Sequence, residues 1–130
     1  MCAGMRGSLP LALGALVLLL LVGCSGLQLS KKDPVEVGKK LYGENCILCH
    51  GDAATGEGSI PTAPPHGRQG HTWHHADSQL KGIILGKIDY PGRTMPSFGG
   101  ILTDEEVNAI LAYLKSGWTP EQVRAQRSRR

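Results

Sequence analysis

"ENCILCHG" (residues 44–51) decides how the rest of the chain is read. Cys46 and Cys49 are separated by two residues, and His50 follows directly. On one helical turn, two thiols so spaced can bond both vinyl groups of a haem while the adjacent imidazole reaches its iron, and C-x-x-C-H is the attachment pattern of c-type haem. Three other readings compete with this one. A redox dithiol would need a neighbouring strand–helix pattern, which the chain lacks. A zinc site would need a second pair of ligands, which His66, His71, His74 and His75 supply in principle. The last is a chance occurrence in a structural helix. Haem is favoured for an exported, helical, glycine-rich chain of this length.

Export is read from the beginning of the chain. Arg6 supplies a positive start, and "LPLALGALVLLLLVG" (9–23) is an apolar run too short for a confident membrane span. "LVGC" (21–24) resembles the lipobox of bacterial lipoproteins, in which the cysteine is acylated and becomes the first mature residue. The expected organisation is a lipoprotein-type signal peptide over 1–23, a tether over 24–33, a folded domain over 34–117 and a basic C-terminal tail over 118–130. The mature chain would keep 107 residues, Cys24–Arg130, enough for one domain. Its thirteen basic and eleven acidic residues are nearly balanced, and four of the basic ones (Arg124, Arg127, Arg129, Arg130) fall in the last ten positions. A nucleic-acid-binding domain is therefore not expected, since the body carries no basic face. With Cys2 and Cys24 assigned to the leader, two cysteines remain, too few for a disulfide framework.

Along the chain, Asp33-Pro34-Val35-Glu36 opens a helix by its cap, its proline at the first position and its acidic first turn. That helix is expected to end near Cys46–His50. Residues 51–75 are broken by five glycines and three prolines and read as loop, and so long a loop in so small a domain implies that a large rigid cofactor packs against it. "ADSQLKGIILGKI" (76–88) reads as a short helix capped by Asp77 or Ser78, and "DYPGRTMPSFGG" (89–100) as loop. The last helix has Thr103 and Glu106 as a capping box, with Val107, Ile110, Leu111 and Leu114 at helical spacing and Gly117 as its end. Gly38 would let another backbone approach the first helix, with Tyr113 as a large partner on the last. The architecture is expected to be all-α, with three to four short helices.

For the position opposite His50 the candidates are Met95, His66, His71, His74, His75 and Met5, the last of which is expected to be removed with the leader. Met95 stands in a Gly/Pro loop rather than at a helical core position, and Phe98 is near enough in sequence to wall off solvent. The histidines lie in a polar stretch, "HGRQGHTWHH" (66–75), whose only large anchor is Trp73.

From Pro34 to Ser116 the chain resembles the class I c-type cytochromes, in particular small bacterial monohaem ones. "GKKLYGENCILCHG" (38–51) is similar to their first helix and attachment motif, and "TMPSFGGILTDEEVNAILAYLKS" (94–116) to their ligand loop and last helix. The resemblance implies one covalent haem c per chain, thioether links at Cys46 and Cys49, His50 and Met95 as the two iron ligands, and contact of Gly38 and Tyr42 with the last helix near Tyr113. One departure is the proline-rich stretch "GEGSIPTAPPH" (56–66), in which the sequence does not mark the proline that meets the proximal histidine.

Two axial ligands close the iron to substrate, so no enzymatic activity is expected. The expected function is membrane-tethered one-electron transport outside the cytosol, in the bacterial periplasm or on the outer face of the cytoplasmic membrane, with a lipid anchor at Cys24. The donor would be a quinol-oxidising complex or dehydrogenase and the acceptor an oxidase or photosynthetic centre. The alternative is a fixed haem c subunit of a multisubunit quinol-oxidising complex, oxidase or dehydrogenase.

Overall fold

The computed structural model describes residues 32–129 apart from 57 and 59. The expected signal peptide, the acylated Cys24 and all but the end of the tether lie outside the described residues. Five α-helices and one 3-10 turn follow in order: α1 (Pro34–Asn45), α2 (Ile47–His50), the 3-10 turn (Thr72–His74), α3 (Asp77–Ile84), α4 (Asp104–Ser116) and α5 (Pro120–Arg127). There is no strand among the described residues, so the fold is all-α as expected, with a helix more than the sequence suggested. No described helix is long and apolar enough to cross a membrane.

Local chemistry explains the boundaries. The Asp33 carboxylate accepts from the Val35 N–H at 2.9 Å and Pro34 occupies the first helical position, so α1 starts where the sequence places it. α2 follows after the single residue Cys46 and stops at Gly51, whose φ of 71° is open to glycine at little cost. Thr103 and Glu106 form the full capping box of α4.

α3 departs from expectation at both ends. Its cap is Ala76, because Asp77 lies inside the first turn and turns its carboxylate to Lys115 and Gln126. Burial raises the Asp77 pKa, but these hydrogen bonds outweigh it and hold the carboxyl below its ordinary range. The helix ends at Ile84 rather than Ile88, since Gly86 takes a φ of 70° and the N–H groups of Lys87 and Ile88 both return to the Gly82 carbonyl.

The segment after Gly117, expected as a basic tail, folds. Thr119 and Gln122 make a second capping box around Pro120, Trp118 is buried, and Gln126 is buried on α5. Polar side chains hold this end to the long loop. Trp118 Nε1 donates to the His66 carbonyl at 2.9 Å, Gln122 Nε2 to the Arg68 carbonyl at 2.8 Å, and Gln126 Nε2 to the His75 carbonyl at 3.2 Å. α5 thereby packs on the 3-10 turn.

The main helix contact joins α1 to α4. Gly38 lies directly on the backbone of Ala109, where a Cβ would fall inside contact distance of the Ala109 carbonyl. The close approach expected at Gly38 is therefore to Ala109 rather than to Tyr113. Tyr113 instead meets Tyr42, one turn along α1, with ring centroids 5.5 Å apart. Tyr42, Val107 and Ile110 are the largest fully buried side chains, and Leu80, Leu85, Leu111 and Leu114 complete the core around them.

Gly38→Ala is expected to lower stability by about 1–3 kcal/mol, toward the upper end because the obstructing group is backbone. Gly43 lies on the same helix, and a methyl group added there would meet nothing within 4 Å. Gly43→Ala should therefore raise stability by about 0.5–1 kcal/mol through helix propensity alone. Thermal melts of the two variants should move in opposite directions, and equal shifts would remove the special role given to Gly38.

Candidate cofactor site

The end of α1, Cys46, the second half of α2 (Cys49 and His50), the loop 60–66, Thr72 of the 3-10 turn with the flanking His71 and His75, α3, the loop 88–98 and one face of α4 enclose a cavity of about 750 Å³. This lies within the range of about 300–1,000 Å³ typical of cofactor pockets. Its wall is largely aliphatic, with Leu80, Ile83, Ile84, Ile110, Leu111 and Leu114 facing inward together with Phe98. The four residues expected at the site, Cys46, Cys49, His50 and Met95, all line this one cavity.

Cys46 and Cys49 are free thiols. Burial, reinforced by Cys49 nearby, pushes the Cys46 thiol up to about 11. A nucleophilic thiol needs the opposite shift, so burial leaves Cys46 unactivated as a redox nucleophile. The zinc reading fails on placement, because among the described residues no three His, Cys, Asp or Glu side chains converge as metal ligands.

His50 is buried, and its Nδ1 lies 2.8 Å from the Pro64 carbonyl. A carbonyl can only accept, so Nδ1 carries the proton and Nε2 keeps its lone pair for a metal. Pro64 is thus the proline that meets the histidine, a choice among three that the sequence left open. His66 lies against His50, with ring centroids 4.2 Å apart and planes inclined by 29°, and its Nδ1 is 2.6 Å from Thr72 Oγ1. Burial and the neighbouring His50 push His66 down to about 3, so it is a neutral packing group. Tyr42 supports the same corner by donating its hydroxyl to the Gly51 carbonyl at 2.9 Å, and burial raises its phenol well above the ordinary value. The histidine cluster therefore divides: His66 belongs to the surroundings of His50, whereas His71, His74 and His75 surround the 3-10 turn.

Met95 is held by a residue that sequence reasoning missed. Arg93 Nε donates to the Met95 carbonyl at 2.8 Å, Nη1 to Ile88 at 2.9 Å, and Nη2 to Ile83 at 2.9 Å and Pro96 at 3.2 Å. The Tyr90 ring lies 5.9 Å below the guanidinium. One planar cation thus ties both arms of the loop to the end of α3, a geometry that arginine offers and lysine does not. Ser97 Oγ donates to Leu85 and the Phe98 N–H to Ile84, which fixes the loop's second half. The only local sign of this was one arginine among the prolines and glycines of 89–100.

The residues fit a haem. Two free thiols stand one turn apart, an imidazole nitrogen is oriented from behind, a thioether lines the same cavity, and that cavity is largely apolar. Outside the cavity lining, the Trp73 indole N–H is the one buried side-chain polar atom among the described residues without a partner. Such an orphan costs about 1–3 kcal/mol.

Residues 35–118 match the family model described as Cytochrome c. No curated protein and no solved structure matches the chain.

Removing the guanidinium in Arg93→Met should loosen the loop by about 1.5–3 kcal/mol, the usual worth of hydrogen bonds to a charged group. Amide exchange over residues 88–98 should accelerate while that of α1 and α4 stays unchanged, and Arg93→Lys should fail to restore it. Protection equal to that of the parent protein would show that the loop does not depend on Arg93.

Proposed function

The chain belongs to the cytochrome c family and is a haem-based electron carrier with covalently bound haem, and on that footing we propose which residues hold the group and where the protein works. Cys46 and Cys49 form the two thioether links, His50 is the proximal iron ligand and Met95 the distal one. The observation that carries this reading is that all four side chains line the same apolar cavity. Bound haem supplies a one-electron iron couple, and a thioether ligand favours a comparatively high potential.

The chain's own residues do the rest. Pro64 fixes the tautomer and plane of His50, Arg93 fixes the backbone that bears Met95, and the aliphatic wall with Phe98 keeps water from the centre. With His50 and Met95 both holding the iron, the protein would transfer electrons without transforming a substrate. Covalent attachment at two cysteines keeps one haem on each chain.

The finer setting follows from the leader. Acylation at Cys24 tethers the domain outside the cytosol, in a bacterial periplasm or on the outer face of the cytoplasmic membrane, and the tether of about ten residues lets it reach more than one partner. A quinol-oxidising complex or dehydrogenase donates the electron, and an oxidase or photosynthetic centre accepts it.

Acidic organic extraction of the purified protein should leave the haem on the polypeptide, and release of all pigment would end the assignment of Cys46 and Cys49. Met95→Leu should keep the haem attached, abolish the sulfur-to-iron absorption band and lower the potential. An unchanged band would exclude Met95 as ligand. Cys24→Ser should move the haem-loaded domain from the membrane to the soluble fraction, whereas full retention on the membrane would rule out the lipid anchor.

A further inference from the structure

His50 meets two residues of one short stretch. The Pro64 carbonyl lies at the edge of its ring, 2.8 Å from Nδ1, and two positions further on the His66 ring lies against its face, with centroids 4.2 Å apart and planes inclined by 29°. A hydrogen bond at the edge holds an imidazole along one line and opposes tilting about that line only weakly, whereas a flat ring on the face meets the tilt directly. A group that acts at a functional centre has to be held within about 10–20° of its working orientation. The face contact therefore decides how finely His50 is aimed.

His66 is itself held at three points. Its Nδ1 lies 2.6 Å from the hydroxyl oxygen of the buried Thr72, its carbonyl accepts the Trp118 indole N–H at 2.9 Å, and the Tyr42 ring meets it edge-on with centroids 6.0 Å apart. The contact with Thr72 fixes the His66 ring in turn, which an imidazole allows at this position and an aliphatic side chain does not. The turn that follows is closed at Gly70, where a Cβ would fall inside contact distance of the Pro65 carbonyl, so residues 65–70 double back on themselves. α5 braces the same segment from outside, because Gln122 donates to the Arg68 carbonyl and Gln126 to that of His75, while Arg68 Nε donates to the Gly117 carbonyl at 2.9 Å. This helix lies beyond residues 35–118, the part of the chain that matches the family model.

We infer that His66 is a positioning residue for His50: together with Pro64 it holds the proximal imidazole in one plane, and Trp118 with α5 holds His66 in place. The inference rests on the haem reading above.

Electron paramagnetic resonance of the oxidised, haem-loaded protein tests this, since its g values follow the direction in which the axial imidazole plane splits the iron d orbitals. His66→Ala should shift the g values and broaden the lines. His66→Phe, which keeps a flat ring, should stay nearer the parent, and Thr72→Val and Trp118→Phe, which remove hydrogen bonds to His66, should shift the values by less than His66→Ala. His74→Ala, which removes an imidazole stacked on His71 and Trp73 outside the cavity lining, should leave them at parent values. Haem content and the sulfur-to-iron absorption band should be unchanged throughout. Parent g values in His66→Ala would overturn the inference. So would an equal shift in His74→Ala, a shift in His66→Phe as large as that in His66→Ala, or loss of the sulfur-to-iron band in these variants, which would mark a change of ligand. Should His66→Ala fail to fold, Thr72→Val, which nearly keeps the parent volume, decides by the same spectrum. A parent protein without covalent haem or without that band would refute the underlying reading before any variant is compared, so the two failures are distinguishable.

Discussion

The contact of Gly38 with the Ala109 backbone fixes the crossing of α1 and α4, and the site inherits its geometry from that crossing. Because the two backbones touch, Tyr42 on the next turn of α1 is buried against Tyr113, and the chain leaves α1 at Asn45 directly beside the apolar face of α4. Cys46, Cys49 and His50 then face Ile110, Leu111 and Leu114 across one cavity. A side chain at position 38 would separate the helices, and the attachment turn would lose its register with the opposite wall. Packing between the ends of the sequence thus sets the position of chemistry that lies between them.

Around this fixed pair the remaining structure is mostly loop, and its order comes from polar side chains that reach backbone carbonyls. Arg93 binds four of them near Met95, the His50 imidazole takes that of Pro64, and Trp118, Gln122 and Gln126 take those of His66, Arg68 and His75. Carbonyl acceptors in an irregular segment have no helix to satisfy them, so each such bond both removes an unsatisfied group and fixes a path. These anchors hold the two faces of the cavity apart without filling the space between them. Leu80, Ile110, Leu111 and Leu114 meet in the core and also line the cavity, so burial of a large planar group adds contact area to the same side chains.

What the sequence disclosed and what it withheld divide along the range of the interactions. That Cys46, Cys49 and His50 would share one site was legible because a spacing within one turn is local, and Thr103 with Glu106 because a capping box is local. That Met95 lines the same cavity was suggested by its place in a proline and glycine loop, but its preference over the histidines came from the family resemblance. Pro64 could not be separated from Pro61 and Pro65, since only the path of the loop decides which carbonyl meets His50. His66 has the same composition around it as His71, and its different role comes from stacking on a residue sixteen positions away. α5 was missed because its sequence is polar and arginine-rich, although the Thr119-Pro120 start and Gln122 spell a helix beginning. Its buried member is a glutamine, so apolar periodicity carried no trace of it.

The central claim is that this chain folds around a haem held at Cys46 and Cys49, with the cofactor as part of its core. The most direct measurement is the thermal unfolding of the haem-loaded protein beside that of Cys46→Ala/Cys49→Ala, followed by circular dichroism in the helical region. The account predicts a cooperative transition for the loaded protein and a weakly helical chain without a cooperative transition for the variant. A fully helical variant that melts cooperatively near the temperature of the loaded protein would contradict it, since the polypeptide would then have a sufficient core of its own.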